Sequence, residues 1–128
     1  MSLPVKVLIA NAHDDYTLLL RELLSFSPNI NVIGIAKDGY KAHLLALNLK
    51  PDVLLLDILL PGIDGLEVLR RLNIKENEGQ PKVFILTGFY LKEIAEKAMS
   101  LGALHYLLKP YKTSSLIDLI CSTNVQHR

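Results

Sequence analysis

Short apolar runs alternate with amphipathic stretches along the whole chain, and this alternation predicts five strands and five helices. Val5–Ala10 (VKVLIA), Asn31–Ala36 (NVIGIA), Val53–Asp57 (VLLLD), Lys82–Thr87 (KVFILT) and His105–Leu108 (HYLL) are apolar runs of strand length. Helical segments lie between them. Asp14–Ser27 repeats Leu18, Leu19, Leu20, Leu23 and Leu24 at helical spacing. Tyr40–Leu49 is a helix stopped by Lys50-Pro51, because proline restricts the residue before it and cannot extend the ladder. Leu66–Leu72 opens behind Asp64-Gly65, a turn and cap signal. Leu91–Leu101 closes on Gly102, a common helix-stop residue. Thr113–Thr123 is the last helix, with Thr113 or Ser114 as its expected cap. The Asn73–Pro81 segment is polar and reads as a flexible loop.

Strands with nearly unbroken apolar runs suit a parallel sheet buried on both faces. Strict alternation with short connections implies one doubly wound α/β domain over residues 1–128, with right-handed crossovers. In such folds ligands bind beyond the carboxyl ends of the strands, where the strand order reverses. The residues to weigh are therefore Asn11, Ala12 and His13 after the first strand and Asp57 at the end of the third. Thr87 and Gly88 end the fourth, and Lys109 and Pro110 follow the fifth.

Composition narrows the function classes. The 128 residues are 50% hydrophobic and 21% charged, which suits one globular domain with a substantial core. No apolar run approaches the ~20 residues needed to span a bilayer, and the first residues lack the pattern of a signal peptide. A cytoplasmic location is the resulting expectation. A net charge of +1 gives no global field for nucleic acid or anionic lipid. The single cysteine, Cys121, excludes an internal disulfide and reads as a plain core or interface thiol. His13, His43, His105 and His127 have no metal-ligand spacing and read as surface or packing residues, with His13 near the strand ends. No glycine-rich dinucleotide fingerprint follows the first strand.

An Asp, a Thr and a Lys at the ends of different parallel strands can converge on one pocket. Phosphoryl transfer suits that set. A carboxylate can attack phosphorus to form an acyl phosphate, and the phosphoryl oxygens then need positive charge and hydrogen-bond donors. Lys109 would supply an ammonium charge and Thr87 a hydroxyl.

Val53–Gly65 (VLLLDILLPGIDG), Phe84–Gly88 (FILTG) and Gly102–Pro110 (GALHYLLKP) resemble the signature blocks of response-regulator receiver domains, over almost the entire chain. Within that family the chain is similar to receivers of the stage zero sporulation protein A type, through Ile33–Ala36, Pro51–Asp57, Gly65–Arg71 and Gln80-Pro81-Lys82. The resemblance implies a flavodoxin-like fold with strand order 2-1-3-4-5. It places Asp57 as phosphoacceptor, Thr87 as switch hydroxyl, Lys109 as its lysine partner and Tyr106 as switch aromatic. Pro110 falls where the family has a cis peptide, and Leu59 where a backbone carbonyl binds the metal. The implied partners are a histidine kinase or phosphotransferase, with a homodimer face on the last two helices and the strand between them. The implied output is control of sporulation transcription through a DNA-binding domain outside these residues.

The sequence departs from the family at one place. Receivers carry two acidic residues after the first strand to hold Mg²⁺, and the ungapped match puts Asn11 and Ala12 there. Asn11 offers a neutral oxygen and Ala12 offers nothing, so Mg²⁺ binding on Asp57, Asn11 and the Leu59 backbone should be weakened. Asp14 and Asp15 lie close by, either as displaced substitutes or as a helix cap and a charge favouring the helix start. Two functions follow as rivals: a phosphoryl-accepting switch, favoured by Asp57, Thr87, Tyr106 and Lys109, and an atypical receiver acting as an interaction or dimerisation module without phosphorylation. An aspartyl-phosphate phosphatase is disfavoured, because those enzymes need a second Asp where this chain has Leu59. Beyond slow self-dephosphorylation, no enzyme activity is expected.

Overall fold

All ten predicted elements form in the computed structural model, which describes residues 3–123. The strands are β1 (Val5–Ala10), β2 (Ile30–Ala36), β3 (Val53–Leu56), β4 (Lys82–Thr87) and β5 (His105–Leu108). The helices are α1 (Asp14–Ser25), α2 (Gly39–Leu49), α3 (Gly65–Leu72), α4 (Lys92–Ser100) and α5 (Thr113–Ser122). The strands make one parallel sheet in the order β2-β1-β3-β4-β5. This is the flavodoxin-like arrangement. The order reverses between β1 and β3, which opens a crevice at their carboxyl ends.

Successive strand side chains point to opposite faces, and the sheet accordingly separates two cores. Leu8, Ala10, Leu54, Leu56, Val83 and Ile85 meet α2, α3 and α4 through Ala42, Ala46, Val68, Leu69, Leu72 and Ala98. Val7, Ile9, Val53, Leu55, Phe84 and Leu86 meet α1 and α5 through Leu20, Leu24, Leu116 and Ile120. Burial on both faces explains why β1, β3 and β4 read as continuous apolar runs.

Several local expectations need correction. Helix α1 begins at Asp14, so neither Asp14 nor Asp15 caps it. His13 holds the cap position without a side-chain bond, and both carboxylates lie within the first turn. Helix α5 begins at Thr113, which moves its cap position to Lys112; neither Thr113 nor Ser114 caps it. Cys121 is exposed rather than core: α5 buries Leu116 and Ile120, one turn apart, and the next residue points about 100° away from that stripe. Leu18 and Leu19 are also exposed, because α1 carries more leucines than its buried stripe of Thr17, Leu20 and Leu24 can use. Other signals hold. Asp64 caps α3 by accepting from Glu67 N–H at 2.9 Å, and Gly102 follows α4 at φ +108°. The Lys109-Pro110 peptide is cis. His127 lies outside the described residues.

Candidate functional site

Parallel pairing brings the strand ends into register. Asp57 N–H donates to Ala10 O at 3.0 Å, so the acceptor candidate stands directly beside the exit of β1. Asn11 N–H bonds Ala36 O at 2.9 Å, and Lys109 N–H bonds Thr87 O at 2.9 Å. The backbone ladder thus runs one residue past each strand and fixes where Asn11, Asp57 and Lys109 start. Behind Asp57, helix α3 comes so close that a Cβ on Gly65 would lie 2.3 Å from the Asp57 carbonyl oxygen. Glycine at that position is a steric requirement of the acceptor loop, beyond the turn signal read from the sequence.

Asp57 is only 5% exposed. A buried carboxylate is costly unless it is paired and hydrogen-bonded. Here Oδ1 accepts from Leu59 N–H at 3.2 Å. Oδ2 accepts from the Asn11 side-chain amide at 3.1 Å and faces Lys109 Nζ at 3.5 Å. A unit charge pair at that separation attracts by about 5 kcal/mol at an effective dielectric near 20, against about 1 kcal/mol in bulk water. The partly buried lysine is therefore the dominant electrostatic partner of Asp57.

The orientation of Asn11 is informative. Its amide oxygen accepts from His13 N–H at 2.8 Å, which leaves the amide nitrogen turned toward Asp57. Where the family resemblance leads one to expect a carboxylate, this chain places a neutral donor against Asp57. Among the described residues, no three His, Cys, Asp or Glu side chains cluster as a metal site. Asp14 pairs instead with Lys37 at 2.6 Å on the surface, and Asp15 is exposed. With one carboxylate and no second anionic ligand, the donor set does not fit a dedicated Mg²⁺ site.

Thr87 and Tyr106 converge on a single loop residue. Phe89 N–H donates to Thr87 Oγ1 at 3.3 Å, and the Tyr106 hydroxyl donates to Phe89 O at 2.6 Å. Thr87 is fully buried and Tyr106 half-buried. Burial pushes the Tyr106 phenol above its ordinary range, with the Asp57 and Tyr90 charges adding to the effect. Phe89 gave no functional signal in the sequence.

A second tyrosine was also not legible. The Tyr16 ring lies 4.0 Å from Lys109 Nζ, and its hydroxyl bonds that of Tyr111. Burial raises the Tyr16 phenol, and the Tyr111 hydroxyl and the Asp57 charge raise it further. Tyr111 is raised by burial too. Only tertiary contact between α1 and the segment after β5 creates this cluster.

The response regulator receiver domain family model matches residues 7–121. The chain is 35% identical over 116 residues to the transcriptional regulatory protein LiaR of Bacillus subtilis, covering 91% of this chain and 54% of that protein. It thus spans about half the length of that relative. Its fold is similar to the signal receiver domain of NarL from Mycobacterium tuberculosis, with a TM-score of 0.84 and 28% identity over 95% of this chain and 100% of that one. A DNA-binding response regulator of the LuxR family from Staphylococcus aureus is also similar, at TM-score 0.83 and 28% identity, covering 91% of this chain and 95% of that chain. On the matched span and the fold together, the chain belongs to the response regulator receiver domain family.

Proposed function

We propose that this domain is a signalling switch in which Asp57 accepts a phosphoryl group from a histidine kinase or phosphotransferase. The observation that carries the reading is the buried Asp57 carboxylate held 3.5 Å from Lys109 at the end of the sheet. In the transfer, a carboxylate oxygen of Asp57 bonds to phosphorus while the donor's bond to phosphorus breaks, and the donor leaves with that electron pair. The carboxylate charge is then replaced by that of the phosphoryl group, which Lys109 is placed to pair. Thr87 Oγ1 accepts from Phe89 N–H, so its own proton is available for a phosphoryl oxygen. Redirecting that hydroxyl would release one of the two bonds on Phe89 and leave the other to Tyr106. That is a local charge event coupled to a loop, as a phosphorylation switch requires.

Metal dependence is weak in this reading. The Asn11 amide and Lys109 stand on the acceptor oxygen in place of a second carboxylate and its cation. Output is transcriptional, in line with the relatives, through a DNA-binding region beyond these residues; a sporulation output finds no support among them. Met99 on α4, Leu104 in the connection after it and Leu108 on β5 are exposed, which supports a homodimer face there.

The loss of the acidic pair favours a second reading, an interaction module that is never phosphorylated. Intact mass after incubation with acetyl phosphate separates the two. The switch gains one phosphoryl group and Asp57→Asn gains none. A module without the chemistry gains none in either form.

A further inference from the structure

We propose that Tyr16 is a positioning residue that holds the Lys109 ammonium against Asp57, an inference that rests on the phosphoacceptor reading above. Lysine carries its charge on a flexible four-carbon stem, so residence beside one carboxylate oxygen needs a second constraint. Tyr16 supplies it from the first turns of α1. Its ring face lies 4.0 Å from Lys109 Nζ, inside the roughly 6 Å within which a cation is drawn to an aromatic face. The same ammonium meets Asp57 Oδ2 at 3.5 Å. The charge thus contacts a carboxylate and a π face together.

Tyr16 also grips the segment that carries the lysine. Its hydroxyl bonds the Tyr111 hydroxyl, two residues beyond Lys109. One side chain therefore touches Lys109 and Tyr111 together, and ties the start of α1 to the connection between β5 and α5. The burial of both phenols, and the Asp57 charge beside Tyr16, keep the pair protonated, so the ring face stays that of a neutral phenol. Asp57 has no other ion pair among the described residues, which makes the placement of this single cation decisive for the acceptor.

A bland packing role is the alternative, since Tyr16 also packs against the core on that face. Tyr16→Phe keeps the ring and loses the hydroxyl, whereas Tyr16→Leu keeps apolar bulk and loses the π face. Side-chain NMR of Lys109 reads the contact directly. In the unaltered chain, its Hε protons should be shifted upfield by the ring current and show NOEs to the Tyr16 ring. The shift should persist in Tyr16→Phe and vanish in Tyr16→Leu. The initial rate of phosphoryl uptake from acetyl phosphate should fall about fivefold in Tyr16→Leu and by clearly less in Tyr16→Phe, which keeps the ring face and loses only the tie to Tyr111. Missing NOEs in the unaltered chain overturn the proposal without any variant. Equal rate losses in the Phe and Leu variants overturn it as well, since the ring face that Tyr16→Phe retains then holds nothing. If the unaltered chain takes up no phosphoryl group, the acceptor reading fails, and the NMR arm still decides whether Tyr16 holds Lys109.

Discussion

The two sides of the crevice are built differently. On the β3, β4 and β5 side stand a carboxylate, a buried hydroxyl and an ammonium: Asp57, Thr87 and Lys109. On the β1 side stand a buried amide and an alanine, Asn11 and Ala12. In the proposed switch, the first side would receive and sense the phosphoryl group. The other presents, in place of the acidic pair that the family resemblance leads one to expect, a donor that bonds Asp57 Oδ2 at 3.1 Å. In the proposed switch, charge compensation at Asp57 rests on the protein's own donors, Asn11 and Lys109. Asn11 contributes a fixed dipole and Lys109 a full charge, so the burden falls chiefly on Lys109.

Removing Lys109 should therefore produce the largest contrast between the sides. Lys109→Ala is expected to slow phosphoryl uptake on the order of a hundredfold, the scale of losing one charge-stabilising donor in a buried site. A stopped-time mass assay checks it, and a rate within a few-fold of wild type would mean that the β1 side carries more than its dipole suggests. Restoring acidity on that side sharpens the comparison from the opposite direction. Asn11→Asp/Ala12→Asp should bind Mg²⁺ at least about tenfold more tightly by calorimetric titration, since carboxylates are the usual anchors of this ion. Equal affinities would refute the cause assigned here.

Two smaller effects probe the scaffold of the acceptor side. Gly65→Ala puts a methyl group 2.3 Å from the Asp57 carbonyl oxygen and should cost about 2 kcal/mol of stability in urea unfolding. An unchanged midpoint would show that α3 can retreat freely. Tyr106 bears on alkaline stability. Its phenol is raised in the folded state, so the folded chain keeps a proton that the unfolded chain loses above about pH 10. That contribution is complete below the ordinary tyrosine value and declines as pH rises through the folded one. Tyr106→Phe should make the alkaline fall of the urea midpoint shallower, and an identical slope in both proteins would contradict the shift.

Element order was legible because each strand is an apolar run and each helix an amphipathic one, and because their alternation leaves one economical topology. The acceptor-side residues were legible for a simple reason: each sits at a strand end, and parallel registry brings strand ends together. Legibility failed where the outcome turns on one residue of boundary or on tertiary contact. A shift of a single residue at Thr113 moved the α5 cap to Lys112. The leucines of α1 outnumber its buried stripe, so periodicity alone could not expose Leu18 and Leu19. The amide of Asn11 can present oxygen or nitrogen, and His13 N–H decides which end faces Asp57. Tyr16 meets Lys109 across 93 positions of sequence (109 − 16), a contact that no local pattern announces.

The central claim is that the protein's own donors carry the charge at Asp57. Its most direct test is the rate of phosphoryl uptake from acetyl phosphate by the unaltered chain, measured from excess chelator to saturating Mg²⁺, with Asp57→Asn as the blank. Uptake should persist in chelator and rise by less than about tenfold with Mg²⁺, the scale of a weakly held cation. Uptake that is absent in chelator and appears only with Mg²⁺, or that never appears, would contradict it.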